Sequence, residues 1–103
     1  MNPVQERVRA FCEAHNLRAP PEHHVLDTMS ELGEVAKEIL KSSDYGKTHA
    51  HYSEKLKEEV GDFYFTLLRL ANIYNVDLDE ALEMVLQKYE KRLDKGGAGS
   101  ENE

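Results

Sequence analysis

Apolar residues recur along this chain at intervals of three and four, the spacing that gathers side chains onto one face of an α-helix. Val4, Val8, Phe11 and Cys12 make the first such stripe, over about Pro3 to His15. "RAPPEHH" interrupts it, and Pro20-Pro21 suits the opening turn of a second helix, where a missing N–H costs no helical hydrogen bond. That helix reaches about Ser42, with Val25, Met29, Leu32, Ala36, Ile39 and Leu40 as its expected core-facing stripe. Ser42 to Tyr52 carries turn residues without a period and reads as a loop. Ser53 is the predicted N-cap of a third helix to about Tyr74, with Leu56, Val60, Phe63, Leu67 and Leu70 turned inward. Its "FYFTLL" segment is apolar nearly all round, as in a helix with neighbours on several sides; Phe63, Tyr64 and Phe65 are expected in the core or a subunit interface. Asn75 ends it, and "DLDE" from Asp77 to Glu80 has the form of a capping box. Leu78, Leu82, Val85, Leu86, Tyr89 and Leu93 line a fourth helix, which Gly96-Gly97 stops. The pattern predicts an all-α fold, a small antiparallel four-helix bundle, with residues 1–95 as one domain and 96–103 as a flexible tail.

Composition narrows the functions open to such a bundle. At 103 residues the chain has room for one modest core, so completion by further copies of itself is expected. Twenty acidic against 13 basic side chains leave a charge of -7, which repels nucleic-acid backbones and anionic membranes. No apolar run approaches the roughly 20 residues of a membrane helix. Met1-Asn2-Pro3-Val4 has no basic stretch before an apolar one, as a signal peptide would. One cysteine, Cys12, allows no internal disulfide and is expected as a buried small hydrophobe. A cytoplasmic protein is the expectation.

The acidic residues are not evenly spread. On a helical wheel Asp27, Glu31, Glu34 and Glu38 fall together opposite the apolar stripe of the second helix, where like charges four apart weaken a helix by a few tenths of a kcal/mol per pair. On the third helix Glu59 and Asp62 are three apart and border its most apolar section. Lys37, Lys41, Lys55 and Lys57 lie mostly off this acidic arc. A short loop makes the two helices antiparallel neighbours, so two carboxylate pairs could share one space. A solvated acidic face is the plainer explanation; a divalent cation is the one that removes the repulsion. An all-oxygen donor set favours Mg²⁺ or Mn²⁺ over zinc or copper. None of the five histidines follows a glutamate by three positions, so the Glu-x-x-His pattern of di-iron bundles is missing, as is an EF-hand loop.

"ELGE" at Glu31–Glu34, "EEVGD" at Glu58–Asp62 and the apolar helix that follows resemble the MazG-type all-α nucleoside triphosphate pyrophosphohydrolases, whose signature is ExxE, a spacer, then ExxD. The resemblance runs from about Val25 to Leu93, through "FYFTLLRLANIYNVDLDEAL" and "KYEKR" at Lys88–Arg92. It implies Mg²⁺-dependent cleavage of a nucleoside triphosphate between its α- and β-phosphates, giving a monophosphate and pyrophosphate. It also implies that Glu31, Glu34, Glu59 and Asp62 are catalytic metal ligands, with Glu38 as a further ligand or base. Lys88 and Arg92 would hold the distal phosphates, and the protein would be a homodimer or a dimer of dimers. By spacing alone the two cations equally suit a helix C-terminus, whose dipole attracts positive charge. Many family members carry an asparagine in this segment, where Leu86, Gln87 and Tyr89 stand here.

Other residues are expected in plainer roles. His49 and His51 are expected as solvated loop histidines ahead of substrate or metal contacts, Tyr45 and Tyr52 either pack locally or stack on a nucleobase, and His23 and His24 lie on the surface at a helix start. Two alternatives remain: the same machinery acting on another pyrophosphate such as phosphoribosyl-ATP, or a non-enzymatic helical interaction module.

Overall fold

A computed structural model describes residues 1–96 and shows four helices. Helix α1 spans Pro3–Ala14, α2 Pro21–Ser42, α3 Glu54–Ile73 and α4 Leu78–Asp94. No strand occurs among the described residues, so the all-α expectation holds. Of the expected tail, only Gly96 falls within them.

The ends form where single residues satisfy the first free N–H groups. The Asn2, Ser53 and Asp77 side chains accept from the N–H of Gln5, Leu56 and Glu80, at 2.8, 3.0 and 3.1 Å. Asn16 and Asn75 follow α1 and α3 in the left-handed region, at φ 54° each. Asparagine tolerates that turn, and it lets the Leu17 and Val76 N–H groups close back onto the Cys12 and Ala71 carbonyls.

Helices α2 and α3 form the principal antiparallel pair, and α1 lies across α3, with Phe11 edge-on to Phe65 at 6.1 Å. At the base of this assembly sits a fully buried glutamine. Gln5 Nε2 donates to Asn72 Oδ1 and to the Val76 carbonyl, at 3.1 and 2.8 Å. Its Oε1 accepts from the Leu78 N–H and from Asn2 Nδ2, and Asn72 Nδ2 returns a bond to the Gln5 carbonyl. One amide therefore ties the start of α1 to the end of α3 and the first turn of α4.

The expected inward stripes are a correction. Among the described residues only Leu68 and Ala71 are buried apolar ones; on α2, Met29 is 68% and Leu32 51% exposed, and Val25, Ile39 and Leu40 are exposed too. The α3-facing side of α2 is instead His24, Thr28, Glu31, Val35 and Glu38, all buried or half-buried. Helix α4 has no extended packing on any other helix, and Leu82, Leu86 and Leu93 on its stripe are exposed. The period marked faces that want covering, but a single chain has too little surface to cover them. Its accessible area is 7723 Å², against about 5,900 Å² for a compact monomer of this mass.

Candidate active site

The α2/α3 register can be followed pair by pair. Glu38 faces Lys55, Glu31 faces Asp62, the Thr28 hydroxyl reaches the Thr66 carbonyl at 3.4 Å, and His24 faces Arg69. Residues seven apart repeat this face after two turns, so the carboxylates of both helices fall along one seam.

Carboxylate oxygens of Glu31, Glu59 and Asp62 lie within 4.8 Å of one another. Glu59 is buried, Glu31 half-buried and Asp62 exposed, so the trio has a closed floor and an open mouth. Hard cations of magnesium size hold ligand oxygens about 3–4 Å apart across an octahedron. Small side-chain rotations therefore suffice, and the donor set fits such an ion. Glu34, an exposed residue one turn from Glu31, lies outside the trio but acts on Glu31 through space. Half-buried Glu38 lies a further turn along and acts on Lys55.

Lys55 is a second correction. Its Nζ lies 2.9 Å from Glu59 Oε1, four residues along the same helix. A wheel places Cα atoms, whereas four methylenes let an ammonium reach back over a turn. The contact holds the Lys55 pKa above its usual value.

Lys88 and Arg92 both stand over the ring of Tyr89, at 5.4 and 5.5 Å, on the sparsely packed α4. Lys88 is exposed and Arg92 buried. His49, His51, Tyr45 and Tyr52 are exposed on the connecting loop, where the Tyr52 hydroxyl bonds Glu54 at 2.8 Å. Cys12 is half-buried. His24 is not on the surface but 4% exposed, because it lies on the α3-facing side of α2. Burial first, then Arg69, lowers its pKa.

Burial raises the Glu31 pKa, reinforced in order by Asp62, Glu59, Glu34 and Asp27. A carboxyl raised in the folded state takes up protons on folding, so its destabilising charge is felt above the folded pKa and relieved as pH falls through it. Glu31→Gln is therefore expected to raise the melting temperature of the metal-free protein at pH 7 by about 3 °C. The gain should vanish near pH 4, where the native carboxyl is protonated. Melts in chelator at both values check this; an equal gain at both would point to packing rather than charge.

Three comparisons bear on what this seam does. The sequence profile of the MazG nucleotide pyrophosphohydrolase domain matches residues 20–96. The fold is similar to the crystal structure of the Bacillus-conserved MazG protein, a nucleotide pyrophosphohydrolase, with a TM-score of 0.70 and 28% identity over 84% of each chain. YpjD of Bacillus subtilis (strain 168), itself uncharacterised, is 37% identical over 65 residues, 60% of this chain and 57% of that protein. The match thus spans little more than half of that relative. A profile covering most of the chain, on a helix pair that gathers its carboxylates, settles the family: the chain belongs to the MazG nucleotide pyrophosphohydrolases.

Proposed function

We propose that residues 1–95 form a Mg²⁺-dependent nucleoside triphosphate pyrophosphohydrolase domain that splits its substrate between the α- and β-phosphates. The observation that carries this reading is the convergence of Glu31, Glu59 and Asp62 from two antiparallel helices in a member of this family. Without a counter-ion, such a cluster in a chain of charge -7 would repel a triphosphate. A divalent cation held here would supply the positive charge that offsets this repulsion and would make a bound water more acidic.

The side chains then divide the work. Glu31, Glu59 and Asp62 would hold the cation, and Glu34 and Glu38 extend the acidic wall beside them. One of these glutamates accepts the proton from the attacking water. Lys88 and Arg92 pair with the distal phosphates and neutralise charge on the departing pyrophosphate. Both cations lie against the Tyr89 ring, at 5.4 and 5.5 Å from its centre. The exposed stripes on α2 and α4 are apolar surface for a second copy, and a homodimer or dimer of dimers brings α4 into use. Manganese satisfies the same oxygen donors.

Pyrophosphate release from a nucleotide panel tests the reading. Turnover with Mg²⁺ that stops in chelator is expected, and no release from any nucleotide with either ion overturns it. In a melt, Mg²⁺ with a nucleotide at 100 times its dissociation constant should stabilise the protein by about 2.7 kcal/mol. An inert interaction module would show no such shift.

A further inference from the structure

Two turns along the seam from the carboxylates, on the same faces of α2 and α3, the charge reverses. Seven residues at 1.5 Å each place His24 and Arg69 about 10 Å from Glu31 and Asp62. They open onto a cavity of about 550 Å³ between α1, the start of α2 and the end of α3. Arg9, Arg18 and Arg69 all line it, together with Asn75 and with Asn72, whose amide is tied to Gln5.

Its negative charge is limited. Glu13 lines the cavity, and Glu6 lies 3.5 Å from the Arg9 Nε. Arg69 is anchored by a bond from its Nη2 to the Leu17 carbonyl at 3.2 Å and by the Phe65 ring. Arg18 has no ion-pair or hydrogen-bond partner among the described residues. A second, independent feature has the same sign. The 22-residue helix α2 begins at Pro20-Pro21 with no side-chain cap, and Ala19 and His24, on either side of that start, both line the cavity. Pro20 and Pro21 bring no N–H and the His23 N–H bonds the Pro20 carbonyl at 2.9 Å, so what this helix start offers an anion is the partial positive charge of its dipole.

We propose that this cavity is a binding site for the phosphate group of a small phosphomonoester, held by Arg9, Arg18 and Arg69 at the open end of α2. Phosphate matches guanidinium geometry, and three such groups in an otherwise acidic chain make a local positive field. The volume lies in the range of small-molecule sites and exceeds what a bare phosphate fills, so the anion arrives on an organic body. Leu17, Ile73 and Cys12 provide apolar wall for it. Arg9 and Arg18 precede the segment matched by the family profile, so the cavity is assembled partly outside the shared catalytic region. The site does not depend on the catalytic reading, because it is defined without the carboxylates.

Calorimetric titration of the full chain in chelator separates the possibilities, with ribose 5-phosphate, inorganic phosphate and ribose as probes. Ribose 5-phosphate is expected to bind, ribose not to, and Arg9→Gln and Arg18→Gln each to weaken binding about tenfold or more. Circular dichroism confirms that the variants stay helical. Inorganic phosphate binding as tightly as ribose 5-phosphate would overturn the organic body. No binding of either phosphate, or binding indifferent to both arginine variants, would overturn the site. Absence of pyrophosphate release from any nucleotide would leave it standing, since no turnover enters the measurement.

Discussion

Replacing Glu59 by glutamine is expected to lower pyrophosphate release at least about 10³-fold while the helical circular dichroism stays at its native level. Glu59 is 6% exposed and forms the buried floor of the trio with Glu31 and Asp62. Glutamine keeps its volume and one oxygen for Lys55, so the fold loses little, but the charge that would hold a cation is gone. Divalent-ion affinity should fall with the rate. Asp62→Asn should act in the same direction, because it removes another charge from the same space. A Glu59→Gln enzyme within tenfold of native would show that the buried carboxylate serves only its ion pair with Lys55.

The largest effect on stability is expected at Gln5. Gln5→Ala removes bonds to Asn72, Val76, Leu78 and Asn2 and leaves their partners facing an apolar methyl. With several net bonds lost and buried groups left unpaired, a cost of about 3 kcal/mol follows, or about 15 °C in Tm for a domain of this length. Gln5→Glu isolates the donor's share. Its second oxygen would meet the Val76 carbonyl and Asn72 Oδ1, so it should destabilise at pH 7 and recover partly in acid, where the carboxyl regains a proton. Melts at one fixed protein concentration keep association from entering the comparison. A loss below about 0.5 kcal/mol would mean that α1 is not held by this amide.

What was legible in the sequence was local. A cap needs one side chain and a nearby N–H, so Ser53 and Asp77 announce their helices, and Asn75 announces the left-handed turn that ends α3. The carboxylate cluster was legible in part: i, i+3 spacing on two antiparallel helices pointed to Glu31, Glu59 and Asp62 as neighbours, while Glu34, expected with them, lies outside the trio. Long-range pairings were not. Nothing near Gln5 points to Asn72, 67 positions away. An ordinary helical histidine gives no sign that two turns from the acids it will sit buried among arginines. The apolar period was read correctly as a face and wrongly as a core, since spacing says that a surface needs cover and not which molecule provides it. The reach of Lys55 is a matter of rotamers, which a helical wheel leaves out.

The Lys55–Glu59 contact also gives the buried carboxylate an internal counter-charge. In the folded chain an ammonium from the same helix already sits against the buried acid, so part of its charge is balanced from within. Under the proposed function, a divalent ion entering the trio would compete with this ammonium for the Glu59 carboxylate, which the Lys55 Nζ reaches at 2.9 Å. Lys55→Ala takes that counter-charge away and leaves the three acids to repel one another unaided, a cost a divalent ion would be expected to relieve.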